Sequence, residues 1–153
     1  MKARNIDLTQ AVGVDDAMRR IAIVRFSELL SFASALRSNR AQDLHNLRIA
    51  CKRLRYAIER FTRREPQLLE PASRLGQMQE SLGEWHDCHL LLGALPTGLG
   101  ATRQSLIVKR DEALARSRAL LRDAFARYGP FTELIRFTGL GYGFGEGEGT
   151  TEL

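Results

Sequence analysis

The chain has 153 residues, 44% hydrophobic and 27% charged, which is ordinary for a globular protein and long enough for one domain with a core of its own. A net charge of +5 and a pI of about 9.8 favour anionic partners over cationic ones, without separating nucleic acid, acidic membrane and polyphosphate. No apolar run approaches the roughly 20 residues of a membrane helix, the first residues lack the apolar stretch of a signal peptide, and two cysteines make no disulfide framework, so a reducing cytoplasm is the expected setting.

Residues 1–14 are polar and are expected to be a flexible lead-in. Asp15 or Asp16 suits the cap of a first helix running to about Ser38, whose apolar face includes Met18, Ala22, Leu29, Phe32 and Leu36. Arg25 falls within that face. It either snorkels or pairs with a carboxylate of another helix, or it points into a groove shared with the cations of the next helix.

The second helix follows a turn at 38–41 and spans about 41–63. It stops ahead of Pro66, since a residue before proline is pushed out of the helical region. At the helical period, Leu44, Leu47, Cys51, Leu54, Ile58 and Phe61 share one side. His45, Arg48, Lys52, Arg55 and Glu59 form a narrow stripe beside it. Like charges one turn apart cost a helix a few tenths of a kcal/mol. Arg48, Lys52 and Arg55 therefore call for an anion, either carboxylates of a neighbouring helix or an external polyanion with charges repeating along a line. Arginine far outnumbers lysine in the chain, and its planar fork grips phosphate oxygens two at a time.

A third helix is expected over about 70–92, with Pro71 in its first turn and Leu75, Met78, Leu82, Trp85, His89 and Leu92 as its apolar stripe. Gly83 sits mid-helix at a cost of about 1 kcal/mol against alanine, which a close helix crossing or a kink would explain. Glycines and a proline make 93–100 a loop. A fourth helix spans about 101–128, with Leu106, Ala113, Leu114, Leu121, Phe125 and Tyr128 on one face. Ser117 falls among them and is expected to bond back to its own helix. Lys109 and Arg116 lie on a flank of that face. Gly129-Pro130 ends this helix, and 131–137 reads as one further short helix. From 138 to 153 the glycine-rich run is expected to be a flexible tail; it lacks the strand, lysine-serine pair and following helix of a phosphate loop. With no alternating strand pattern of useful length, the fold class is all-α, an antiparallel helical bundle of about four long helices in one domain, 15–137.

The run from His45 to Glu59, His-x-x-Arg-x-x-x-Lys-Arg-Leu-Arg-Tyr-x-x-Glu, resembles the signature of CHAD domains, the conserved histidine α-helical domains. Leu75 to Asp87, Leu-Gly-Gln-Met-Gln-Glu-Ser-Leu-Gly-Glu-Trp-His-Asp, resembles the family's second block, in the right order and at a fitting distance. The resemblance covers roughly residues 15–137. It implies an all-helical module that binds inorganic polyphosphate along basic helix faces and has no catalysis of its own. Family members carry the His-Arg helix twice, in two pseudo-symmetric halves. The single copy here resembles one half, so a homodimer is expected to restore the other by two-fold symmetry. The acidic Glu-x-Glu-x-Lys strand of the triphosphate-cleaving domain that often accompanies the family does not occur in these residues.

The expected polyphosphate contacts are His45, Arg48, Lys52, Arg53 and Arg55, with Lys109, Arg116 and Arg25 as further candidates. The Tyr56 hydroxyl would either anchor an arginine or satisfy a core edge, Glu59 would support the arginines, and Asp87 would orient an arginine of the second helix. Nucleic-acid binding is the main alternative, although the aromatics that stack unpaired bases are mostly on apolar faces. Metal binding by His86, His89 and Cys88, or a structural interaction module, are further alternatives; a zinc site wants three or four converging ligands. No nucleophile–base–orienter set is visible, so no enzyme activity, cofactor or metal is expected. The expected partner is a phosphate polyanion, with association with polyphosphate granules in the cytoplasm.

Overall fold

The computed structural model describes residues 2–96 and 98–140. Among them there is no strand. Four long helices, α1 (Gly13–Phe32), α3 (Ala41–Glu59), α4 (Leu69–Ala94) and α5 (Gly100–Ala124), form the bundle expected from the sequence. Two short ones, α2 (Ala35–Ser38) and α6 (Phe131–Thr138), complete it. A 3-10 turn, Pro66–Leu68, leads into α4.

Neighbours in the chain are neighbours in space, in the order α1, α3, α4, α5. Bonds between them show antiparallel packing. Arg64 pairs with Asp15 at 3.1 Å while Arg53 approaches Glu28 at 3.9 Å, nearer the other end of α1. Arg103 at the start of α5 donates to the carbonyls of Leu92 and Leu95 at the end of α4. Deeper in that pair, the Ser81 hydroxyl donates to the Ala113 carbonyl at 2.7 Å. Ser117, fully buried, lies 3.0 Å from both that carbonyl and the Ser81 oxygen, which is the back-bonding expected of it. Two small polar residues thus let α4 and α5 approach closely with their hydroxyls satisfied.

The core is built from the apolar stripes. On α3, Leu44, Leu47, Cys51, Leu54 and Ile58 are sealed from solvent. Burial pushes the Cys51 thiol up to about 12, so it stays protonated. Cys51 and Cys88 are both free thiols. Phe26 of α1 stacks on Phe125 at 6.2 Å, and Phe131 meets both rings edge-on at 5.9 and 5.1 Å, which docks α6 on the bundle.

Several boundaries differ from the sequence reading. The first helix does not run unbroken to Ser38. Ala33 donates to Leu30 in an i→i+3 bond, and this tightened turn separates α1 from α2 without a glycine or proline to announce it. Asn39 then ends α2 in the left-handed conformation, φ 56°, which asparagine tolerates better than most residues. The second helix ends at Glu59, not near Arg63, because Phe61 accepts from both Arg64 and Glu65 in a turn that keeps its ring in the core. Tyr128 is exposed, beyond the end of α5, and not on its apolar face. Gly129 turns the chain there: a Cβ would lie 2.2 Å from the Asp123 carbonyl oxygen. Thr138 belongs to α6, donating to the Leu134 carbonyl at 2.7 Å, and not to the tail. Within the lead-in, the backbone N–H of Arg4 donates to Glu28 at 2.6 Å and its guanidinium donates to Ser31, which ties that segment to α1. The expected tail from 141 on lies outside the described residues. No described helix is long and apolar enough to cross a membrane.

Candidate functional site

Burying the apolar side of α3 places the adjoining stripe along the seam with α4. Three juxtapositions fix the register. His45 faces His86, their ring centroids 5.3 Å apart and tilted by 42°. A Cβ on Gly83 would lie 3.7 Å from Nε of Arg48. A Cβ on Gly76 would lie 3.6 Å from Nη1 of Arg55 and 3.7 Å from its Cδ. The stripe 45, 48, 52, 55 on α3 and the stripe 76, 79, 83, 86 on α4 have the same spacing of three, four and three, run in opposite directions. Each arginine therefore lies across α4 where that helix has no side chain. Gly83 makes room for the side chain of Arg48, while α4 continues as one helix.

The row has few internal counter-charges. Among the described residues, neither Arg48 nor Lys52 has a carboxylate within 4.0 Å. Arg55 has one, Glu59 on its own helix, with Nε 3.6 Å from Oε1 and Glu59 itself exposed. The Tyr56 ring lies under the row, with Arg55 4.7 Å and Lys52 5.7 Å from its centroid, and its hydroxyl bonds no arginine among the described residues. The Nε atoms of Arg48 and Arg55 and Oε1 of Gln79 are buried and make no hydrogen bond among the described residues. An orphaned buried polar atom costs about 1–3 kcal/mol. Arg55 Nε keeps the Glu59 carboxylate at 3.6 Å, so the cost falls mainly on Arg48.

His86 is the group whose acidity this environment alters most clearly. Burial lowers its pKa, and the neighbouring His45 and Arg48 lower it further, against the opposing pull of Asp87. Sequence reasoning considered His86 only as a metal ligand. The signal that places it here is the 76, 79, 83, 86 stripe, which becomes meaningful once α4 is laid antiparallel to α3.

Other expected contacts go elsewhere. Arg25 does not reach the row. Its Nη1 lies 2.9 Å from Glu28, a carboxylate of its own helix that is 1% exposed. Arg53 also approaches Glu28, at 3.9 Å, on the α1 side of α3. Glu28, which the sequence reading passed over, is thus the internal acid that answers these two arginines. Lys109 and Arg116 line a separate groove of about 460 Å³ between α4 and α5, with Glu84, Asp87 and Cys88. Arg116 is paired with Glu84. Asp87 is exposed on that side and makes no bond to an α3 arginine among the described residues, so the orienting role expected of it is not seen. His89 is exposed and stacks on Trp85 at 5.1 Å, outside the core. Among the described residues no three His, Cys, Asp or Glu side chains gather as a metal site requires.

These features fit a helical module with one cationic seam. Residues 11–96 match the CHAD domain family model, over half of the chain, and the chain belongs to that family. The match spans α1 to α4 and so contains the whole seam; α5 and α6 lie beyond it, although the resemblance read from the sequence extended to residue 137. The family is associated with polyphosphate binding. No curated protein matches the chain, and no solved structure does.

Proposed function

We propose that the α3–α4 seam binds inorganic polyphosphate, without catalysis, through His45, Arg48, Lys52 and Arg55. The observation that carries this reading is the row itself: cations about 5 Å apart per helical turn, two of them with no carboxylate in reach among the described residues. A linear phosphate chain laid along α3 meets a positive group at each turn without bending. Arg53 and Arg25 contribute less, because Glu28 shares their charge.

Capture on immobilised long-chain polyphosphate tests the reading, with Arg48→Glu/Arg55→Glu as the comparison. Retention of the wild type and loss of the double variant is the expected result. Equal retention removes the seam as the site. Nucleic acid is the rival ligand, and salt dependence alone does not separate the two, since both bind by releasing counterions. Competition does: single-stranded nucleic acid that displaces polyphosphate at equal phosphate concentration would overturn the proposal. Two finer points belong to the same reading, that two copies associate to extend the seam and that the protein acts at cytoplasmic polyphosphate granules. Light scattering of the free protein at micromolar concentration addresses the first, and a monomer that still binds polyphosphate would remove it.

A further inference from the structure

The cationic row leaves one group unused. His86 belongs to α4, yet its ring packs 5.3 Å from that of His45 on α3, at the end of the seam where Arg48 also lies. The two imidazoles are half-buried and come from different helices, so only the antiparallel register brings them together. Among the described residues neither ring makes a hydrogen bond. A pair of neutral imidazoles tolerates this arrangement. A pair of imidazolium ions beside Arg48 repels strongly unless an anion lies against both.

The charges that act on His86 are His45 and Arg48 from α3 and Asp87 and His89 from its own helix. Asp87 alone favours the charged ring, and burial, His45, Arg48 and His89 oppose it. These surroundings therefore disfavour the charged form of His86 in the free protein. A phosphate group placed against the edges of both rings, which lie side by side, reverses that balance. Each ring then gains a negatively charged acceptor, and a charged N–H donor to a phosphate oxygen forms the stronger kind of hydrogen bond.

We propose that His45 and His86 form a clasp across the two helices, their neighbouring rings together donating to one phosphate group of the bound chain and taking up protons as it binds. The proton comes from solvent and converts imidazole to imidazolium; no bond of the ligand breaks. The proposal rests on the polyphosphate reading above and adds to it a second helix of the site and a linkage between affinity and pH. Because the bound state holds more protons, affinity rises as pH falls through the histidine range.

Calorimetry of long-chain polyphosphate binding near pH 7, in two buffers of different ionisation enthalpy, measures the protons exchanged. Internal phosphates of a long chain stay ionised there, so the protons counted belong to the protein. The expected result is an uptake of about one proton per site in the wild type, largely lost in both His86→Gln and His45→Gln. Each variant should weaken binding by about tenfold near pH 6 and by least near pH 8. A second measurement needs no variant: the imidazole C–H resonances of the wild type, titrated with and without polyphosphate, should show both pKa values raised by the ligand. Binding without proton uptake, or full uptake in His86→Gln, overturns the clasp and leaves the polyphosphate reading standing. A wild type that binds no polyphosphate at all overturns both.

Discussion

Arg48 shows most directly what the seam sacrifices. Its Nε is buried beside Gly83 with no hydrogen-bond partner among the described residues, a cost that a side chain of similar length without polar atoms avoids. Arg48→Met is expected to raise the unfolding free energy by about 1 kcal/mol in urea titration and to weaken polyphosphate binding by about tenfold. A loss of stability would show that the guanidinium serves the fold. Glu28 is the opposite case. Its carboxylate is enclosed and accepts from Arg4 and Arg25 while facing Arg53, so Glu28→Gln leaves two guanidinium groups beside an uncharged amide. An unfolding free energy lower by about 3 kcal/mol is expected. For His86 in the free protein the folded pKa lies below the ordinary histidine value. The unfolded chain thus binds more protons in that interval, and stability is retained above the ordinary value and lost as pH falls through the folded one. His86→Gln should flatten this part of the stability–pH curve. The stripe of α3 was legible from residue spacing alone. Glu28 was not, because one acid near the end of an apolar face looks the same whether it meets water or a buried arginine.

At the scale of the helix, α4 is the element whose role the sequence left open. Gly83 had two readings, a crossing or a kink, and the structure answers with a side chain lying over it. The contact a Cβ would make there, 3.7 Å, is ordinary van der Waals distance, so Gly83→Ala fits. It is expected to stabilise the protein by roughly 0.5–1 kcal/mol through helix propensity. Gly83→Leu occupies the space of the Arg48 side chain, and polyphosphate binding should fall with it. Binding that survives Gly83→Leu undiminished would mean the arginine does not need α4 as its bed. The misplaced Lys109, Arg116 and Asp87 have one cause. Periodicity assigns residues to a face of their own helix but does not say which neighbour that face meets, and α4 has α3 on one side and α5 on another.

At the scale of the molecule, the class and the four long helices were readable because every long stripe of apolar residues has the same period and the connections are short. The break after Phe32 and the early end of α3 were not, since both depend on how α2 and Phe61 reach a core formed by other helices. That core also divides the two thiols by accessibility. Cys51 is sealed on the inner side of α3 and held protonated, while Cys88 opens onto the groove between α4 and α5, away from the seam. A maleimide should therefore tag the folded protein once, at Cys88, and the denatured chain twice. The delay before the second tag then times how often α3 leaves its berth. If ligand fastens that helix to α4, adding polyphosphate should lengthen the wait, so a chemical clock already present in the chain would register occupancy without any engineered label.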